Sequence, residues 1–218
     1  VGALTMNQSR ATGPNAQTRA AAYYATFYTG SGAAVMFLPI WLDGKGISPE
    51  QIGIINSVPI FVILLFNLVV GRLADRAKDW RQVIVIGSLI GGIVPIGLFF
   101  VNEFWGILLF WTLATLPGGA VAPVLDAATM RLAKRTGVDF GFIRAFGTLG
   151  YLLFNALTGF LVVWFGAGVF VPLYVGLAII RAAAAMQLPP FRAPAEVTTL
   201  AALEPARKVA GSLRDVAK

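Results

Sequence analysis

The sequence predicts an all-α membrane protein built as a bundle of six transmembrane helices, on three observations. Hydrophobic residues make up 57% of the chain and charged residues only 12%, where a soluble globular domain carries about 25% charged residues. Mean hydropathy is +0.77. Apolar stretches of about 20 residues, enough to cross a hydrocarbon core of about 30 Å, recur along the chain with charged punctuation between them.

Taken in order, residues 1–19 form a polar N-terminal segment with Gly13 and Pro14 and without the apolar core of a cleavable signal peptide. The first span is therefore expected to be a retained anchor. Val1 stands where a methionine would begin a chain; an alternative start codon, a later start at Met6 and a fragment boundary all accommodate it. The spans are expected at 20–42, 50–71, 82–101, 105–130, 142–164 and 168–188, so that the bundle occupies 20–188. Gly44, Gly46 and Pro49 lie in the first connection, and Asn102 to Phe104 make the third, so neighbouring spans run antiparallel. Residues 189–218 change character to a basic, proline-containing segment with Pro190, Pro194 and Pro205, read as a cytoplasmic central-loop linker. Helical spacing of Val209, Leu213 and Val216 leaves a short amphipathic helix on an anionic leaflet as the alternative.

The charge pattern sets the orientation. With the N-terminus inside, Arg10 and Arg19, then Arg72, Arg76, Lys78 and Arg81, then Arg131, Lys134, Arg135 and Arg144, and finally Arg181 with the basic residues of the tail, all fall in cytoplasmic segments. Lys45 is the exception, so the positive-inside bias places both termini in the cytoplasm. The net charge of +7 and pI near 10.1 belong to these inner loops, and no nucleic-acid partner is implied.

Cysteine and histidine are absent. That removes disulfides, thiolate chemistry, imidazole metal sites and histidine-dependent dyads and triads. No metal, cofactor or catalytic residue is expected, and an enzyme is not. An intramembrane serine protease built on Gly30-Ser31-Gly32 would lack its base.

Asp126, in the fourth span, is the acid expected deep in the membrane. An isolated carboxylate at a helix centre costs about 2.5–3.5 kcal/mol on insertion scales, which makes it a functional candidate facing a cavity or a partner. Arg144 opens the fifth span and begins a polar stripe through Thr148, Tyr151 and Asn155, one helix face. Thr112, Thr115, Gly119, Ala122, Asp126 and Thr129 make a matching stripe on the fourth span. The stripes are expected to face one another or a shared cavity, the alternative being an ion pair that only fixes packing.

In the loop after the second span, Gly71-Arg72-Leu73-Ala74-Asp75-Arg76 resembles the first half of the signature loop of the major facilitator superfamily. Gly71 is expected to let two helix ends approach, and Asp75 to cap the next helix or pair with a cation, with Arg76 completing a gating loop. Lys78, Asp79 and Trp80 depart from the signature's second half. Two further runs, Ala122-Pro123-Val124-Leu125-Asp126 and Phe140 to Gly147, resemble the oligosaccharide:proton symporters typified by lactose permease, as do Phe37 to Leu42 and Gly53-Ile54-Ile55. The phenylpropionate permease family shares the pattern Gly141 to Gly147.

The resemblance covers about residues 20–188 and implies the N-terminal bundle of a major facilitator fold, in a secondary active transporter of the bacterial inner membrane. It assigns substrate contacts to Asp126 and Arg144, an aromatic platform to Tyr151, and cavity-lining positions to Tyr28 and Gly32, with Thr148 on the same face as Arg144. Asp126 replaces the family's glutamate and Tyr151 its tryptophan. Helix packing through Gly30, Ser31 and Gly32 stands as the alternative for the first span. The implied partners are a small-molecule substrate (a sugar, or an aromatic or other organic acid), a proton as coupling ion, the lipid bilayer, and a C-terminal six-helix half or a second copy. A six-span assembly or receptor module without transport of its own is the competing reading.

Overall fold

The computed structural model describes residues 14–191. The outer parts of the N-terminal segment and of the linker, including the spacing of Val209, Leu213 and Val216, lie outside the described residues. Helices α1 (Pro14–Phe27), α2 (Thr29–Asp43), α3 (Pro49–Arg76), α4 (Trp80–Ile93), α5 (Phe104–Thr136), α6 (Phe140–Phe165) and α7 (Phe170–Met186) follow in order, with 3-10 turns at Val94–Phe99 and Ala167–Val169. They make six helical crossings long and apolar enough to span a membrane. The first crossing is α1 and α2 together.

Local sequence explains the ends. Ser48 and Gln51 form a capping box at the start of α3, with Pro49 in the first turn where a missing N–H costs nothing. Asp139 caps α6 by accepting from the Gly141 N–H at 2.8 Å. The fourth crossing extends past residue 130 to Thr136, because its terminal lysine and arginine are good helix formers and the chain reverses only at Gly137, φ 75°. Pro95 has no N–H to give, and the third crossing ends as a 3-10 turn.

The first crossing is interrupted at Tyr28, between α1 and α2. The Thr26 and Thr29 hydroxyls on either side donate to the carbonyls of Tyr23 and Thr26, at 2.9 and 2.8 Å. Such back-bonding competes with the helical ladder and bends it. The interruption turns the Tyr28 ring toward α6.

Lipid tails are as apolar as leucine, so helices in a membrane are held by close packing and polar contacts. α1 and α2 lie along α6, α3 lies along α5, and α4 packs on both α5 and α7. The seam on α6 is a backbone-to-backbone approach. A Cβ on Gly32 would run into the Tyr151 carbonyl, and one on Gly150 into the Ala25 carbonyl. Asn155 adds a polar stitch, its side-chain amide donating to the Gly32 carbonyl at 3.0 Å.

Buried apolar side chains gather in two clusters. One, at the end where α1 begins and α7 finishes, contains Tyr23, Tyr24, Leu125, Leu132 and Ile143. The other holds Leu38, Trp41, Leu42, Trp111 and Phe170. Leu188 and Phe191, just after α7, belong to the first cluster, and Phe191 is fully buried. The start of the segment read as a linker is thus packed onto the bundle. Its anchor is Asp79, whose carboxylate accepts the Phe191 N–H at 3.1 Å.

Replacing Gly150 by leucine is expected to separate α1 from α6, at an overpacking cost of about 1–3 kcal/mol. Gly176→Ala, where the added carbon meets nothing within 4 Å, serves as the silent control. Thermal unfolding of the detergent-solubilised protein should fall for the first variant and hold for the second.

Candidate functional site

Asp126 and Arg144 meet. The Arg144 Nη1 donates to both Asp126 carboxylate oxygens at 2.7 Å, joining α5 to α6 across the short turn at Gly137. Two prolines, Pro117 and Pro123, precede Asp126 on α5, and each removes a backbone hydrogen bond from the ladder. The pair is accessible, with 45% of the Arg144 side chain and 34% of that of Asp126 exposed. It is a half-open ion pair bridging the two helices.

Span one supplies the rest. The Tyr24 hydroxyl donates to an Asp126 oxygen at 2.6 Å, and its side chain is fully buried. One turn on, Tyr28 stacks on Tyr24 with ring centroids 6.4 Å apart. The Arg144 guanidinium lies over the Tyr28 ring at 5.8 Å, and its Nη1 reaches the Tyr28 hydroxyl at 3.5 Å. Gly147, on the turn after Arg144, makes room for this ring: a Cβ there would stand 2.7 Å from the Tyr28 Cδ2. The carboxylate is thus held by a charged donor and a neutral donor from different helices, the charge-assisted bonds being the stronger.

A cavity of about 410 Å³ opens between the two apolar clusters, within the usual range for small-molecule sites. Tyr28, Gly30, Ser31, Asn56, Thr115 and Gly119 line it, together with the apolar faces of Pro59, Ile60, Trp111 and Tyr174. Tyr28 separates this chamber from the Asp126–Arg144 pair. The α5 stripe divides accordingly, Thr115, Gly119 and Ala122 facing the chamber while Thr129 is fully buried.

The remaining expected site residues fall as follows. Tyr151 is half-buried and Thr148 exposed, both on the α6 face that carries Arg144. Gly32 does not line the chamber: it is buried against the Tyr151 backbone, so the packing alternative describes it. At Gly71 no atom beyond its own stretch of α3 lies within 4 Å of where a Cβ would stand, among the described residues. Asp75 and Arg76 end α3 rather than forming a loop, the turn being only Ala77 to Asp79. The residue that caps the next helix is Asp79, which accepts from the Arg81 N–H at 2.9 Å.

Two contributors escaped the sequence reading. Tyr24 carried a signal in its spacing of one turn from Tyr28. Arg181, assigned above to the cytoplasmic side, sits inside α7 and lines the chamber. Its Nη2 donates to the Gly91 carbonyl at 3.2 Å, and Gly91 lies midway along the crossing Trp80–Phe99. Its guanidinium faces the Phe27 ring at 5.8 Å. The apolar run Ala182 to Met186 that follows it is the signal that it has not left the span.

The sequence matches known proteins over this same bundle. The model of the family described as "MFS_1 like family" matches residues 17–212. The chain is 28% identical over 148 residues to the "Probable 3-phenylpropionic acid transporter" of Escherichia coli K12, covering 65% of this chain and 38% of that protein. It is 29% identical over 154 residues to the lactose permease of Citrobacter freundii, covering 63% and 36%. Against the raffinose permease of Escherichia coli it is 30% identical over 150 residues, covering 61% and 35%. The aligned region spans less than two-fifths of the length of each of these relatives. A match that runs from the first crossing to beyond the last takes in the whole bundle, and the chain belongs to the MFS_1-like family.

Proposed function

We propose that this chain is the N-terminal half of a secondary active transporter that takes up a sugar or a small organic acid together with a proton. The observation that carries the reading is the half-open Asp126–Arg144 pair beside a chamber between packed ends. Transporters built from helical repeats hold substrate near the bilayer midplane, often at interrupted helices, and the break at Tyr28 stands beside both the pair and the chamber.

Asp126 and Arg144 bind the polar end of the substrate, with Tyr28 beside them and Tyr151 offering a flat apolar face; Thr148 extends the polar stripe. Arg144 forks onto a carboxylate or paired hydroxyls, and Asp126 accepts from hydroxyl groups. Binding requires Arg144 to loosen from Asp126, while Tyr24 continues to hold the acid. The names of the relatives, two sugar permeases and a phenylpropionic acid transporter, support both substrate classes.

The second half of the transporter covers the second and fifth crossings, whose most apolar stretches are only 11% and 17% buried within this bundle. The end of α3, with Gly71, Asp75 and Arg76, gates the inner side. Both termini face the cytoplasm, in a bacterial inner membrane. A six-span assembly module without transport is the second reading, favoured by the direct bond between Asp126 and Arg144, which needs no ligand.

Uptake into proteoliposomes by the full polypeptide containing this chain separates the two. Arg144→Lys and Asp126→Ala are each expected to reduce uptake about 10- to 100-fold, the worth of a charged hydrogen bond. Unchanged uptake in both variants would remove the site assignment, and no uptake by the parent protein favours the assembly module. The chain contains no cysteine, so the orientation is testable by labelling. Lys45→Cys is expected to react with a membrane-impermeant maleimide on intact cells, and Lys78→Cys only after the membrane is opened; the reverse pattern would invert the topology.

A further inference from the structure

Arg181 poses a problem that the transport reading above does not use. Its guanidinium carries five donors and stays charged at any physiological pH. The fold satisfies one, through the Gly91 carbonyl, and Nε is buried without a partner. Among the described residues no carboxylate lies within ion-pair distance of it, and the intramembrane acid, Asp126, is already held by Arg144 and Tyr24. A cation at the level of a span midpoint calls for an anion.

The bundle is nevertheless shaped to keep it there. A Cβ on Gly91 would stand 2.5 Å from Arg181 Nη2, and one on Gly118 would stand 3.1 Å from Nη1. Glycines on two different helices, α4 and α5, thus leave the space that the guanidinium fills. The Phe27 ring lies on a third side, and the fourth is the chamber. The flat or apolar faces of Trp111, Pro59 and Ile60 line that chamber, and its polar lining, Ser31, Asn56 and Thr115 among it, is uncharged apart from Arg181 itself.

We propose that Arg181 is an anion subsite that takes the carboxylate of a small organic acid, whose apolar body lies against Trp111 and Pro59. A carboxylate presents two acceptors to the planar fork of donors and supplies the missing countercharge in one step. Uncharged sugars offer no such countercharge, so the chamber selects for acids. In taking this ligand to be cargo the inference rests on the transport reading; the binding itself does not.

The test compares 3-phenylpropionate with its uncharged amide, 3-phenylpropanamide, and extends to benzoate and acetate. Binding to the full polypeptide in nanodiscs is followed by tryptophan emission, to which Trp111 on the chamber wall contributes, and by calorimetry. The acid is expected to bind about 10- to 100-fold more tightly than the amide. Arg181→Gln, which retains an amide donor for Gly91, is expected to abolish that preference by weakening the acid about 10- to 100-fold more than the amide. Arg181→Lys, which keeps the charge and loses the fork, should retain part of it. An arginine that only braces α7 against α4 would lower thermal stability in both variants without altering the acid-to-amide ratio.

Equal binding of acid and amide by the parent protein, no binding of any of the acids, or a preference that survives Arg181→Gln would each overturn the subsite. Uptake measured in parallel keeps the two ideas apart. Uptake that depends on Arg144 but not on Arg181 leaves the transporter reading and removes this one. An Arg181-dependent preference in a protein that moves nothing does the opposite.

Discussion

A carboxylate inside a membrane bundle has to be held from several sides, and the way Asp126 is held organises the first, fourth and fifth crossings. Arg144 comes from α6 and Tyr24 from α1, so the acid on α5 is the point at which three helices share hydrogen bonds. Removing one of these donors leaves the others to hold a partly buried charge with one partner fewer. Tyr24 is the neutral member of the set. Its hydroxyl holds the carboxylate independently of Arg144.

Backbone contact supports that arrangement from beneath. Gly32 and Gly150 let α1 and α2 lie against α6 at main-chain distance, and Asn155 ties the seam by donating a hydrogen bond from its side-chain amide to the Gly32 carbonyl. Because the interruption at Tyr28 falls along this seam, its ring is delivered to Gly147 and Arg144 rather than to lipid. Apolar clusters at either end close the bundle and leave the chamber between them. Packing, in this molecule, decides which polar groups can meet.

How much of this is legible in one dimension depends on the range of the interaction. Span lengths, the turn at Gly137 and the Asp126–Arg144 pairing follow from local periodicity, since the stripes on α5 and α6 are fixed by helical geometry and the turn between them is short. Gly32 was ambiguous because a glycine in a span serves a cavity or a seam equally well until the facing helix is known. Arg181 was misplaced for a different reason: counting basic residues by loop puts an arginine near a span end on the water side, and nothing in the local sequence reveals that Gly91 and Gly118 have vacated space for it. Gly71 and Asp75 were expected to form a loop, but α3 runs on through both, and the turn begins only at Ala77.

The seam at Tyr151 separates two things that are usually coupled. Gly32 touches the carbonyl of that residue, not its ring, so helix association reads the main chain at this position and is indifferent to what projects from it. The Tyr151 side chain can be exchanged without reopening the joint between the first and fifth crossings. Arg181 is the opposite case, fitted among glycines of two other helices, where a change of charge demands changes elsewhere. A new side chain at Tyr151 therefore leaves the joint in place, whereas a new side chain at Arg181 has to fill a space that Gly91 and Gly118 shape together.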